Sequence, residues 1–306
     1  GDPIGGSEVL YADAFGALFV TPTATGADVS FIAVDGTEVD RFAFEFDGTT
    51  GTTDASPTTS DDSRASTDTG LDPATTWNWQ LQGTLDTSVD ADVYDIDLFE
   101  TTPAQIADLQ ADGRTVICYF SAGSYEGWRP DAFGFAADDL GDTLDGFDDE
   151  RWLDIRSATV RAVYEGRLDL AVESGCDGVE PDNVDAYANE SGFDLTADDQ
   201  LDFNRFVAEV AHSRGLLVGL KNDLDQIPAL VDAFDFAVNE QCHEHGECEL
   251  NVPFIDAGKP VFNAEYASTF ADDPDTICRD ALDLGIRTLV LPLDLDGSFR
   301  ISCDDR

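Results

Sequence analysis

The residues best suited to chemistry lie in one short stretch, 176–185, which reads Cys-Asp-Gly-Val-Glu-Pro-Asp-Asn-Val-Asp. A short apolar strand leads there into Glu180, Asp182, Asn183 and Asp185. Carboxylates this close raise one another's pKa unless they face a cationic ligand or share a proton. Catalytic acids of parallel α/β barrels lie where a strand ends and a loop begins. The stretch therefore predicts an active site, although so acidic a chain also places Asp in loops by chance.

Strands and helices alternate along the chain from Trp77 onward. Short apolar runs predict eight strands, at 77–83, 93–99, 115–121, 178–182, 216–221, 236–240, 260–266 and 288–293. Apolar residues at three- and four-residue spacing predict helices at 103–111, 160–173, 197–213, 227–233, 252–257 and 274–284. This α/β pattern is that of a TIM (β/α)8 barrel. A doubly wound open sheet is the alternative, but no glycine-rich phosphate loop follows the first strand.

The carboxyl ends of these strands define the expected functional face of the barrel. Aromatic rings stand there beside carboxylates and amides, which together can stack on sugar rings, bind hydroxyl groups and supply acid–base chemistry. We therefore predict a carbohydrate site formed by Trp77, Trp79, Gln80, Asp95, Asp97, Tyr119, Glu126, Arg129, Glu180, Asp182, Asn183, Lys221, Asn222, Glu240, Glu265 and Tyr266.

The charge balance excludes several classes of partner. The chain has 64 acidic and 16 basic residues among 306, a formal net charge of −48. Binding to nucleic acid or to an anionic membrane surface is not expected of such a chain. The excess suits a salt-rich medium, where screening removes self-repulsion, and it would also attract a polycationic substrate. Composition does not separate these two causes.

The six cysteines, at 118, 176, 242, 248, 278 and 303, form an even set typical of an exported protein with three disulfides. Fifteen pairings are possible from sequence, and we favour 242 with 248, 278 with 303, and 118 with 176. The chain has no Met, no leader-like segment and no apolar run of membrane-spanning length. We expect a processed, secreted, monomeric protein.

The N-terminal part of the chain differs from the rest. Short β-rich runs at 9–11, 17–20, 29–34 and 42–46 predict a small β-rich accessory module over 1–47. Residues 48–75 are rich in Thr, Ser, Asp, Gly and Pro, which predicts a flexible linker. The barrel domain would then span 76–306. A glycan-binding role for the module is possible, with a purely structural role as the alternative.

One segment has the residue types of a metal site. Residues 242–248 read Cys-His-Glu-His-Gly-Glu-Cys and contain two of the three His residues. Zinc could use two Cys and one His, but the spacing also suits a local disulfide, which an oxidising compartment favours. We expect no metal and no cofactor. No Ser lies in a Gly-x-Ser-x-Gly turn, so a serine-hydrolase triad is not predicted.

Several runs of residues resemble glycoside hydrolase family 114, the endo-α-1,4-polygalactosaminidases. They are Trp-Asn-Trp-Gln-Leu-Gln-Gly at 77–83, Tyr-Asp-Ile-Asp-Leu-Phe at 94–99, 116–126 followed by Arg-Pro-Asp at 129–131, 175–185, Leu-Lys-Asn at 220–222 and Asn-Glu-Gln-Cys at 239–242. The similarity begins near Trp77 and continues to the C-terminus. It implies a TIM barrel whose catalytic carboxylates end strands four and six, which are Asp182 and Glu240 here.

The chemistry of glycoside cleavage assigns roles to these two residues. One carboxyl group protonates the leaving oxygen, and the other attacks the anomeric carbon or activates water. We expect Asp182 to be the nucleophile, held ionised by Lys221, and partly buried Glu240 to be the acid/base of a retaining pair. The other site residues would bind an α-1,4-linked galactosamine polymer, whose free amino groups are cationic. A barrel that binds glycan without cutting it, or a hydrolase of another α-linked polymer, are the alternatives.

Overall fold

The computed structural model describes residues 16–22, 26–33, 38–45 and 70–306, with side chains from residue 70 onward. It divides into two compact units, Gly1–Ala65 and Ser66–Arg306. The first contains strands β1 (Gly16–Pro22), β2 (Gly26–Ala33) and β3 (Glu38–Glu45), which form an antiparallel sheet in that order. The predicted strand at 9–11 and most of the predicted linker lie outside the described residues, so this domain division stays a prediction.

The second unit is built on a curled, mostly parallel sheet. Its strands are β4 (Trp77–Gln80), β5 (Val93–Asp97), β6 (Thr115–Ser121), β7 (Ser124–Glu126), β8 (Leu140–Leu144), β9 (Phe147–Leu153), β10 (Gly178–Asp182), β11 (Leu217–Lys221), β12 (Phe236–Glu240), β13 (Val261–Glu265), β14 (Arg287–Val290) and β15 (Ile301–Ser302). Nine of them form one sheet in the order β15-β14-β13-β12-β11-β10-β6-β5-β4. All eight predicted strands are present in this sheet and run parallel, while β15 pairs antiparallel with β14.

This architecture is an α/β, TIM-barrel-like fold. The strands follow one another in sequence order, as they do in a barrel. The two outer parallel strands also contact each other, because the indole nitrogen of Trp77 in β4 donates to the carbonyl of Arg287 in β14 at 2.9 Å.

Helices connect most of the parallel strands. They are α1 (Pro103–Ala111), α2 (Ala158–Ser174), α3 (Ala197–Ser213), α4 (Ile227–Leu230), α5 (Cys242–His245), α6 (Val252–Asp256), α7 (Ser268–Asp272) and α8 (Asp275–Leu284). Capping interactions define the ends of the longer helices. Thr102 and Gln105 form a capping box at the start of α1, and Gly175 and Gly285 adopt the left-handed conformation after α2 and α8.

The segment between β6 and α2 contains a small sheet that the sequence did not predict. Its strands β7, β9 and β8 pair antiparallel in that order. Strand β9 reads Phe-Asp-Asp-Glu-Arg-Trp-Leu and is buried only at Trp152 and Leu153. Most of its residues face solvent, so the strand lacks the alternating apolar pattern from which a strand is recognised. We call β7–β9 the inserted sheet.

Two apolar regions stabilise the barrel unit. Residues between the sheet and its helices form the larger core, which includes Leu168, Phe203 and Val207. Rings inside the barrel form a second cluster, in which Trp77 stacks on Trp79 and on Phe262. The barrel interior is therefore a packed core below the carboxyl ends of the strands.

Three disulfides connect elements of the barrel unit. They join Cys118 to Cys176, Cys242 to Cys248 and Cys278 to Cys303, which confirms the favoured pairing. Among residues 70–306 and the three N-terminal strands, no helix has both the length and the apolar character needed to cross a bilayer.

Candidate active site

A cleft of about 900 Å³ opens at the carboxyl ends of the parallel strands. It is lined by most of the residues predicted for the site: Trp79, Asp97, Tyr119, Glu126, Arg129, Asp182, Asn183, Lys221, Asn222, Glu240 and Tyr266. These residues come from seven different strands and from loops that follow strands. The strand order brings them together from positions up to 187 residues apart, Trp79 and Tyr266 being the most distant.

Lys221 lies at the floor of this cleft, between the two residues expected to be catalytic. Its Nζ is 3.2 Å from Asp182 Oδ1 and 3.3 Å from Glu240 Oε2. It also donates to Glu180 Oε1 at 3.0 Å, and it lies 4.7 Å from the ring centre of Trp79. Burial alone would lower the pKa of Lys221, but the charges of Asp182, Glu180 and Glu240 raise it well above its usual value. Lys221 is therefore a permanent cation that compensates the carboxylates around it.

Two tyrosines orient the outer oxygens of the same carboxylates. The hydroxyl of Tyr119 donates to Asp182 Oδ2 at 3.0 Å, and the hydroxyl of Tyr266 donates a short hydrogen bond to Glu240 Oε1. Burial raises the pKa of both tyrosines well above the ordinary value, so each remains a donor. Each of the two carboxyl groups is thus held by Lys221 on one oxygen and a phenol on the other. The side chains of Asp182 and Glu240 nevertheless remain 17% and 27% exposed, so a ligand in the cleft can reach them.

Asp95 and Glu180 form a buried acid pair behind Lys221. Both are buried, and both oxygens of Asp95 and Oε2 of Glu180 have no hydrogen-bond partner among the described residues. Burial raises the pKa of Asp95 well above its usual value, and the neighbouring charge of Glu180 raises it further. Burial raises the pKa of Glu180 to about 7. The raised pKa of Asp95 favours its protonated, uncharged form, which limits the excess negative charge beside Lys221.

The loops after three of the strands have unusual backbone geometry. Asn183, Asn222, Asp223 and Gln241, which follow β10, β11 and β12, have φ of 61°, 46°, 47° and 61°. Non-glycine residues adopt this left-handed region at a cost, and such residues cluster at functional sites. Two hydrogen bonds accompany this backbone geometry. The amide of Asn183 donates to Asp182 Oδ1 at 2.7 Å, and Asn222 Oδ1 accepts from the amide of Glu240 at 3.0 Å.

Arg129 and its partners form one wall of the cleft. Its guanidinium makes two hydrogen bonds to Asp97, at 3.0 and 2.7 Å, and one to Glu126 at 2.9 Å. Arg167 approaches Glu126 at 3.6 Å from behind. Because these charges are buried and paired with one another, the wall is rigid and close to neutral.

Five predicted site residues do not line the cleft. Trp77, Asp95 and Glu180 lie beneath it in the barrel interior, as described above. The side chain of Gln80 bonds instead to the backbone of Gln82, Thr84 and Asp86 and holds the loop after β4. Glu265 accepts from the amide of His243 at 2.8 Å and from Asn263 at 3.1 Å, so it supports the turn after β12. These five residues contact the elements that carry the cleft.

The cleft also contains residues that the sequence did not indicate. Trp128, Phe147, Glu150 and Trp152 belong to the inserted sheet or its loops and line the cleft. Trp128 and Phe147 are each 55% exposed, which makes them available for stacking on a sugar ring. The repeated aromatic residues near 128, 147 and 152 were the one available signal, but no strand pattern placed them at the barrel mouth.

The segment 242–248 does not present free thiolates. Cys242, His243 and Cys248 place one ligand atom each within 4.8 Å of one another. The two sulfurs are bonded to each other, however, so they lack the charge that zinc requires of cysteine. The disulfide closes the turn that follows Glu240.

Comparisons with known proteins give a consistent result. The sequence model named Glycoside-hydrolase family GH114 matches residues 58–306. The structure is similar to that of Ega3 from Aspergillus fumigatus in complex with galactosamine, with 44% identity, a TM-score of 0.73, and coverage of 76% of this chain and 96% of Ega3. It also shares its fold with the glycoside hydrolase domain of PelA from Pseudomonas aeruginosa, with 15% identity, a TM-score of 0.60, and coverage of 74% and 98%. A search of curated proteins found no match.

A TIM-barrel-like domain with two accessible carboxylates at the carboxyl ends of its strands has the groups that a glycoside hydrolase requires. The match of the family model over most of the chain then specifies the family. The chain belongs to glycoside hydrolase family 114, and it is a glycoside hydrolase.

Proposed function

We propose that the enzyme cleaves α-1,4-linked galactosamine-containing polysaccharide at internal bonds, with Asp182 as nucleophile and Glu240 as general acid/base. One observation carries this assignment. Lys221 contacts both carboxylates at once, at 3.2 and 3.3 Å, in a cleft that leaves both of them partly exposed. A buried cation shared by two reachable carboxyl groups fixes their separation and supports the ionised state of a nucleophile.

The geometry favours retention of configuration. The two oxygens that Lys221 contacts cannot lie further apart than the sum of those two distances. The spacing of about 5–5.5 Å between the carboxyl groups of retaining enzymes is compatible with this limit. The closer spacing suits direct attack by Asp182.

The reaction would proceed in two steps. An Asp182 oxygen bonds to the anomeric carbon while Glu240 gives its proton to the leaving oxygen, so that one shortened polysaccharide chain departs. Glu240 then removes a proton from water, which displaces Asp182 from the anomeric carbon and restores both groups. Tyr119 and Tyr266 keep both carboxyl groups in position throughout, since each donates to the oxygen that does not contact Lys221.

Internal cleavage is supported by the shape of the site. The cleft continues past Glu240 and Gln241 into a second depression of about 630 Å³, which Asp145, Asp185 and Asn189 also line. Glu240 therefore lies along a groove with space on both sides. A polysaccharide chain could occupy such a groove without presenting an end.

The sugar is proposed to be galactosamine for two reasons. Ega3, which is 44% identical, was crystallised with galactosamine. The cleft of the present enzyme also presents carboxyl groups at Asp145, Asp185 and Glu150, and its net charge of −48 would draw in a cationic polymer. We further propose a closed (β/α)8 barrel, an accessory role for 1–47, a linker at 48–75, and a secreted monomer. The three disulfides support secretion.

The alternatives make different demands on the site. A barrel that only binds glycan has no need to hold two carboxyl groups around one buried lysine, because this arrangement is costly to desolvate. A hydrolase of a neutral α-linked polymer would need the same pair but would gain nothing from further unpaired acids in the groove. The present site has both features.

The test is product analysis by mass spectrometry with de-N-acetylated α-1,4-galactosamine polymer, in low and in high salt. Wild type should release oligomers of several lengths, whereas Asp182→Asn should release none and still bind the polymer. Release of monomer alone would contradict internal cleavage. Full activity of Asp182→Asn would remove Asp182 as the nucleophile. Retention of the polymer by wild type without any product would favour the binding-only alternative.

A further inference from the structure

Glu150 is a cleft residue that the proposed reaction does not use. It lies on β9 of the inserted sheet and lines the same cleft as Asp182 and Glu240. Its side chain is neither fully buried nor fully exposed. It therefore borders the space that a sugar next to the reacting bond would occupy.

The contacts of Glu150 hold it in place but satisfy only one of its oxygens. Ser124 Oγ donates to Glu150 Oε2 at 2.6 Å. Ser124 is completely buried, its backbone amide donates to Ser121 Oγ at 2.9 Å, and Ser121 Oγ donates to Asn183 Oδ1 beside the nucleophile. Glu150 is thus connected by hydrogen bonds to the loop that carries Asp182. Within residues 70–306, Oε1 of Glu150 has no hydrogen bond.

Glu150 forms no ion pair with a cation in the described part of the chain. The nearest guanidinium groups are committed elsewhere, Arg129 to Asp97 and Glu126, and Arg167 to Asp131. The pKa of Glu150 is raised to about 7, mainly by burial and also by the charges of Glu126 and Asp182, whereas the hydrogen bond from Ser124 and the charge of Arg129 lower it. A fixed carboxyl group with one open oxygen, in a negative environment, is completed by a ligand that brings its own positive charge.

We propose that Glu150 determines specificity for the free amino group of the substrate, by accepting a hydrogen bond from the C2 ammonium of one galactosamine unit in the cleft. The inference rests on the proposed function and identifies the substrate group that Glu150 recognises. N-acetylation removes the charge and two of the three ammonium donors, so an acetylated unit would leave Glu150 buried without its partner. Sites with a buried polar group reject ligands that cannot pair with it.

The test compares binding of two defined ligands by calorimetry, an α-1,4-galactosamine tetramer and its fully N-acetylated form. The proteins are Asp182→Asn, to prevent turnover, and the same protein carrying Glu150→Gln. Gln keeps the size of the side chain and still accepts from Ser124. We expect Glu150→Gln to weaken binding of the free-amine tetramer by roughly 10–100-fold, as loss of a charge-assisted hydrogen bond does. Binding of the acetylated tetramer should be unchanged or improved.

Asp149→Asn, on the same background, is the matched control. Asp149 precedes Glu150 on β9, is exposed and does not line the cleft, so this change removes the same charge outside the site. It should alter either affinity by no more than about twofold, as expected of a screened surface charge. Thermal unfolding of each variant reports whether it folds.

Three results would overturn the inference. They are equal losses for both tetramers, no loss for the free-amine tetramer, and an effect of Asp149→Asn as large as that of Glu150→Gln. Failure of the proposed function would look different, since wild type would then bind the free-amine polymer without releasing oligomers from it.

Discussion

Replacing Lys221 with Met would test whether its charge stabilises the carboxylates of the active site. Lys221 is 1% exposed and contacts Glu180, Asp182 and Glu240 within 3.3 Å. Met fills a similar space but provides no charge. Removing one partner of a buried ion pair costs about 3–5 kcal/mol, because the remaining charge stays buried without compensation. We expect the free energy of unfolding to fall by that amount at pH 8, and turnover to be lost there.

The loss should depend on pH with a defined sign. Burial already raises the pKa of Glu180 to about 7 in the folded enzyme, compared with 4.5 for a free Glu, and Lys221 is the strongest influence that lowers it. Without Lys221, the pKa of Glu180 in the folded variant lies still further above its value in the unfolded chain. Stability of the variant therefore falls as pH rises above about 4.5. The difference from wild type should be small at pH 5 and largest at pH 8.

The assay is urea unfolding of wild type and Lys221→Met at both pH values, in one fixed high salt concentration. Adding Glu180→Gln to Lys221→Met removes one of the stranded charges and should recover part of the stability at pH 8. Such recovery in the double variant measures the coupling between the two residues. An equal loss at both pH values, or no recovery in the double variant, would refute the electrostatic reasoning and leave only a packing role for Lys221.

Further predictions concern single contacts. Tyr266→Phe removes the donor to Glu240 and should lower kcat about tenfold with little change in unfolding temperature, and an unchanged kcat in steady-state assays would deny Tyr266 that role. Burial, and then the charge of Asp185, raise the pKa of Asp223 to about 8, so Asp223→Asn should gain roughly 2–4 kcal/mol of stability relative to wild type between pH 4 and pH 8. Chemical unfolding at the two pH values measures this, and a constant difference would contradict it. Replacing Cys118 and Cys176 with Ser opens a link across 58 residues and should cost about 4 kcal/mol, against about 2 for the six-residue link of Cys242 and Cys248. Equal costs for the two pairs in the same assay would show that loop length does not govern them.

The sequence predicted those parts of the fold that carry regular patterns. Strands such as β6 and β12 contain apolar runs, helices such as α1 and α3 have periodic apolar faces, and their bounds agree with the prediction. The inserted sheet could not be predicted in this way. Its strands pair with one another and lack a regular apolar pattern, so pairing partners decide their structure and local composition does not.

The candidate site was likewise predicted only in part. Position at the end of a strand was enough to indicate Asp182, Glu240 and Lys221, because parallel strands bring their carboxyl ends together. It did not distinguish groups that face the cleft from groups beneath it. Asp95 and Glu180 lie on the same strands as residues that line the cleft, and only their burial and their raised pKa values show them to be supporting groups. Glu150 was missed because its strand was missed.

The most direct test of the account is to trap the covalent intermediate on Asp182. Glu240→Gln would be incubated with an α-galactosaminyl oligosaccharide fluoride, whose leaving group requires no acid and whose glycosyl-enzyme would lack the base needed for hydrolysis. Intact-protein mass spectrometry should show one added oligosaccharide, and peptide analysis should place it on Asp182. Release of fluoride without an adduct, or an adduct on another residue, would contradict the account.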